Sequence, residues 1–85
     1  MATSTLKQSE HITTQTISGT TGATHGELVS NIPITSQVLG ITYNSTNVLV
    51  IPYAVNNYWG FAFRRMTDFG KITNTSVTID VMLYD

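Results

Sequence analysis

The sequence predicts a small all-β protein: an antiparallel β-sandwich, jelly-roll-like or Ig-like, of about six strands. Three observations carry that prediction. Apolar and polar residues alternate in short runs, most cleanly where Val77, Ile79, Val81 and Leu83 interleave with Thr78, Asp80, Met82 and Tyr84. Turn signals rich in Asn, Gly and Ser recur about every ten residues, the spacing of a sandwich or barrel. No segment keeps a helical period over the roughly eleven residues that a helix requires.

Taken in order, residues 1–10 are polar and aperiodic, with Leu6 the only large apolar side chain after Met1. They read as a flexible or stem-like lead-in to a single domain over residues 11–85. A first strand is expected over His11–Ile17, followed by a loop over Ser18–Thr24 in which Gly19 and Gly22 permit positive φ. His25–Ser30 reads as a short strand, interrupted at Asn31-Ile32-Pro33-Ile34 because proline cannot donate to a ladder. Gln37–Tyr43 is a better strand, with Leu39, Ile41 and Tyr43 expected on one face, and Asn44–Asn47 turns it back.

Val48–Val55 is apolar on both faces: Leu49, Ile51, Tyr53 and Val55 alternate with Val48, Val50, Pro52 and Ala54. A strand of that kind is covered on both sides. In so small a domain the second cover is expected to be a neighbouring subunit, while Pro52 suggests an edge or a bulge. Asn56-Asn57 turns the chain into a strand that carries Trp59, Phe61 and Phe63 on one face and Tyr58, Gly60, Ala62 and Arg64 on the other. The other strands are expected to be arranged around this pair. Met66–Lys71 is a loop, and Thr73–Tyr84 is the last strand.

Composition limits function. Eighty-five residues form one domain, and a chain of this size hides only about 60% of its unfolded surface. With no Cys, disulfides cannot supplement the core, so oligomerisation is the expected supplement. Only 11% of residues are charged, against about 25% in ordinary soluble domains. Ser and Thr, roughly a quarter of the chain, take the place of charge and favour strands and turns. A net charge of −1 argues against nucleic acid as a partner, since phosphate binding needs concentrated Lys and Arg. No apolar run approaches the roughly 20 residues that span a bilayer, so membrane insertion is not expected.

The residues offer little for catalysis. His11 and His25 stand apart, with no Cys, His or acid at a metal-ligand spacing, so neither a metal nor another cofactor is expected. Asp68 and Asp80 read as solvated carboxylates, and no Ser lies in a Gly-x-Ser-x-Gly setting. No catalytic residue is assigned, and the chain reads as a non-enzyme. Trp59, Phe61 and Phe63 read first as core or subunit interface. The candidate ligand-binding residues are Asn56, Asn57, Tyr58, Trp59 and Arg64, where an aromatic beside amides would suit a saccharide through stacking and hydrogen bonds. The competing reading is that the two Asn simply tolerate a tight turn. Arg64 and Arg65 point to opposite faces of a strand, and one is expected to pair with Asp68 or Asp80.

The Val48–Tyr53 strand, the Asn56-Asn57-Tyr58-Trp59-Gly60 turn and the terminal Thr75–Tyr84 strand together resemble the C-terminal head modules of bacteriophage tail fibres and receptor-binding proteins. The resemblance covers about residues 25–85 and lies in texture rather than in a diagnostic motif. It implies a virion location, on tail or capsid surface, and a homotrimer that attaches to host cell-surface carbohydrate and to other virion proteins. Two other functions compete. One is a structural virion component, such as a capsid decoration or neck protein, without a saccharide ligand. The other is an OB-like nucleic-acid-binding barrel, which the charge disfavours.

Overall fold

The computed structural model describes residues 11–85. The lead-in expected over residues 1–10 lies outside the described residues. Six strands form: β1 (Ile12–Thr20), β2 (Glu27–Pro33), β3 (Gln37–Tyr43), β4 (Val48–Val55), β5 (Tyr58–Arg65) and β6 (Ser76–Tyr84). They make two three-stranded antiparallel sheets, ordered β1-β6-β3 (sheet I) and β2-β5-β4 (sheet II). The chain is thus all-β, a small β-sandwich.

One core lies between the sheets. Phe61 and Phe63 from β5 meet Val77, Ile79, Val81 and Leu83 from β6, with Ile32 closing one side, and all seven are buried. These are the central strands of the two sheets, which is why they are the most deeply covered. Ile17, Val38, Ile41, Tyr43, Val48 and Val50 pack around them from the flanking strands. The Tyr43 ring meets the Phe63 ring edge-on at 5.5 Å between centroids, the arrangement that aromatic quadrupoles favour.

Several expectations are corrected by this arrangement. The β4–β5 pair is not the centre of the molecule, because β4 is an edge strand and the second central strand is β6. Pro52 explains this, since a chain without an N–H at that point has no ladder bond to give a further strand. β1 runs on through Ser18, Gly19 and Thr20, which pair with Thr78, Val77 and Ser76 instead of forming a loop. A glycine can continue a strand where a close neighbour occupies its missing side chain, and the Leu28 side chain reaches that space at Gly19. β2 is not broken at Asn31 but continues to Pro33 through a register shift between Val29 and Pro33. The Ser30 hydroxyl spans that irregularity, donating to Trp59 O at 2.7 Å and accepting from Ile32 N–H at 3.1 Å. In β3 a register shift between Val38 and Gly40 makes Leu39 an extra residue. Val38, Ile41 and Tyr43 therefore pack inward, and Leu39 is exposed. The last strand begins at Ser76, not Thr73.

Candidate functional site

The feature that stands out is the outer face of sheet II. On β5 the residues on the sandwich's outer side are Tyr58, Gly60, Ala62 and Arg64, opposite Val55, Tyr53, Ile51 and Leu49 on β4. On β2, Glu27 and Val29 lie opposite Ala62 and Gly60. Gly60 and Ala62 point away from the core, yet both are buried. The large side chains of the edge strand fold over these small residues. A Cβ at Gly60 would lie 2.7 Å from Val55 Cγ2 and 2.8 Å from Tyr53 Cζ. The face thus has its own thin apolar layer, built by β4 reaching across β5.

That layer is incompletely covered. Val29 is 54% exposed, Leu49 40% and Tyr58 46%, with Phe69 at the rim 58% exposed. The Phe69 ring lies 5.7 Å from the Arg64 guanidinium carbon, and Arg64 also donates to His25 O at 2.9 Å. Phe69 is held at φ 58, a left-handed conformation costly for a bulky side chain. Its loop is tied by Arg65, which pairs with Asp68 at 3.1 Å, and by Gly70 N–H, which donates to the Asp68 carboxylate. The Arg65 hydrogen bond and then the Gly70 N–H hold the Asp68 carboxyl below its usual range. This is the ion pair anticipated for one of the two arginines.

The one polar atom sealed into the layer is Tyr53 Oη, which is buried without a hydrogen-bond partner. Burial, and after it the neighbouring Glu27 carboxylate, push the phenol up to about 12. Glu27 acts here as a nearby negative charge, since no bond of hydrogen-bonding geometry joins the two groups.

The five candidate ligand residues do not converge on one point. Asn56 and Asn57 form the exposed β4–β5 turn, where Asn56 takes φ 55, and Tyr58 follows on the outer face. Trp59 lies on the opposite side, packed against the core, with its indole N–H donating to Ser36 O at 2.7 Å. Arg64 shares Tyr58's face but stands six residues further along β5, about 20 Å at strand rise. Tyr58 with the Asn56-Asn57 turn is the part of the set that stays together at the surface.

The sequence did not place Val29 and Phe69 on this face. Leu28 and Val29 are adjacent apolar residues in a strand without alternation, so nothing assigned them to opposite faces. Phe69 sits in a loop, outside any strand pattern. The described residues contain no pocket and no group of three His, Cys, Asp or Glu placed to hold a metal ion. No protein-family model, curated protein or solved structure matches the chain.

Proposed function

We propose that this chain is a non-enzymatic virion module of the tail-fibre-head type, which assembles with copies of itself through the outer face of sheet II and attaches to host-surface saccharide. The observation that carries the assembly part is the outer apolar layer of Val29, Leu49, Ile51, Tyr53, Val55 and Tyr58, in which Val29, Leu49 and Tyr58 are exposed, on a chain with only 11% charged residues. Exposed apolar surface gathered on one face marks an interaction site. The attachment part is supported by Tyr58, an exposed ring beside two exposed amides at a strand end.

A purely structural role in the virion is favoured by a different observation. The Trp59 N–H is already bonded within the sandwich and its ring is packed, so one of the two aromatics of the turn is not free to stack on a sugar. Two measurements separate the readings. Solution mass by light scattering tests assembly, and a monomer with Leu49 and Val29 exposed would remove the basis of both. Binding to a glycan array that is lost in Tyr58→Ala, with the fold intact, supports attachment. No glycan binding by an assembled protein leaves the structural role.

A further inference from the structure

The two sheets have four edge strands, and three of them are blunted against pairing with another chain. In β4, Val55 opposite Tyr58 closes the hairpin, and Met66 N–H donates to Asn47 O at 2.8 Å. Alternate residues 49, 51, 53 and 55 therefore bond to β5, and Pro52 lies in the set that faces outward. Its missing N–H is a gap in the free edge. In β2, Ile34 N–H donates to Asn57 O at 2.9 Å, which leaves Pro33, opposite Tyr58, in the outward-facing set as well. β3 is interrupted by its register shift at Leu39 and by Gly40. Prolines and bulges are the usual means by which edge strands avoid joining other sheets.

β1 has none of these devices. It pairs with β6 over nine consecutive residues without a shift, and Ile12–Thr20 contains no proline and no charge. Asp85 N–H donates to His11 O at 3.0 Å, and Thr21 N–H donates to Thr75 O at 2.8 Å, so the odd-numbered residues bond to β6. Ile12, Thr14, Thr16, Ser18 and Thr20 turn their N–H and C=O groups to the free edge, where no other described strand pairs with them.

We propose that this edge pairs with β1 of a second copy of the chain, antiparallel, about a twofold axis at Thr16. That register sets Thr16 against its own copy, Thr14 against Ser18 and Ile12 against Thr20. Every outward-facing residue then exchanges its two backbone bonds with a residue of the same set. The side chains brought together carry no charge, hydroxyls at the centre and Ile12 against Thr20 at each end, so the pairing meets no like-charge repulsion. Thr16 is already steadied by donating to Asp80 at 2.6 Å, and Ser18 by its hydroxyl contact with Thr78 at 3.0 Å. A foreign extended peptide fits less well, because strand addition takes its selectivity from side-chain pockets and the described residues contain none. The result is one six-stranded sheet across two copies. It lies on sheet I and is independent of the function proposed for sheet II.

The chain has no Cys, so a single introduced thiol reports the contact cleanly. Under mild oxidation, Thr16→Cys should form a covalent dimer on the order of a hundredfold faster than Thr42→Cys, a control at the other edge of the same outer face, because the paired thiols share a high effective concentration. Equal rates overturn the proposal. Thr16→Pro removes one outward N–H and no backbone bond to β6, although the hydroxyl bond to Asp80 goes with it, and should lower the solution mass of the parent protein. If that variant does not fold, Thr14→Lys combined with Ser18→Lys sets ammonium against ammonium on both sides of the axis and should do the same. A folded variant with unchanged mass overturns the pairing.

Discussion

Sheet I turns mostly polar side chains to solvent, Thr14, Thr16, Ser18, Thr42, Ser76, Thr78 and Asp80, with Ile12, Met82 and Tyr84 exposed at one end, whereas sheet II turns Val29, Leu49, Ile51, Tyr53, Val55 and Tyr58 outward. Their inner faces do the same work, since both bury apolar side chains in one shared core. The difference lies in what each does with its second face. Sheet I leaves it to water, with hydroxyls over most of its length and Ile12, Met82 and Tyr84 gathered at one end. Sheet II begins a second apolar layer by folding Tyr53 and Val55 over Gly60, and leaves Val29, Leu49 and Tyr58 exposed around it. The assembly proposed above rests on that difference.

The largest effect should come from the part the two sheets share. Phe61 is fully buried, and Phe61→Ala should cost about 3–5 kcal/mol in urea unfolding. A chain of this length has roughly 4–13 kcal/mol in total, so the variant should be largely unfolded on warming. A cost below about 1.5 kcal/mol would show that the sheets do not share a tightly packed core.

The outer faces should then respond in opposite ways to the same substitution. Leu49→Lys places a charge on the apolar layer and should weaken self-association at least about tenfold, or about 1.4 kcal/mol, in sedimentation equilibrium. Thr78→Lys, at the centre of the hydroxyl face, should leave the same equilibrium within twofold or so. If both variants behave alike, the contrast between the faces has no bearing on assembly.

The turns sharpen the comparison further. Among the described residues four non-glycine positions have positive φ: Asn47, Asn56 and Asn74, which suit it, and Phe69, which does not. Phe69 stands at the rim of the apolar face beside Arg64. Phe69→Asn should therefore raise the stability of the dilute monomer by about 1 kcal/mol while weakening association. A gain in stability without a loss of association would mean that the ring plays no part in the contact.

How much of this was legible in the sequence follows from the same contrast. The terminal strand could be read residue by residue, because one wet face and one dry face give strict alternation. Gln37–Tyr43 and Val48–Val55 were bounded correctly by their turn residues. The facing of Leu39 was not legible, since an inserted residue reverses the alternation without any change in composition. The centre of the molecule was misplaced because β4 and β5 are the most apolar strands. Hydrophobicity measures how much of a strand is covered, and in β4 part of that cover is its own outer layer rather than a central position. The scattered candidate site had a similar origin. Neighbours in a strand point to opposite sides, so Tyr58 and Trp59 could not share a platform.

The smallest expected effect concerns Tyr53, and it tests how the outer layer is held. Its hydroxyl is buried without a partner, so Tyr53→Phe should be neutral or stabilising by up to about 1 kcal/mol at neutral pH. The phenol is raised from about 10 in the unfolded chain to about 12 in the folded one. Over that interval the folded state holds the proton more tightly, so its contribution is complete below about pH 10 and is lost as pH rises toward 12. The parent should therefore lose stability relative to Tyr53→Phe across pH 10–12, as read from paired urea titrations. A variant less stable at neutral pH by more than about 1 kcal/mol would show that the phenol is bonded to Glu27. The layer over Gly60 would then be held by a polar clasp, and the outer face of sheet II would resemble that of sheet I more than its composition suggests.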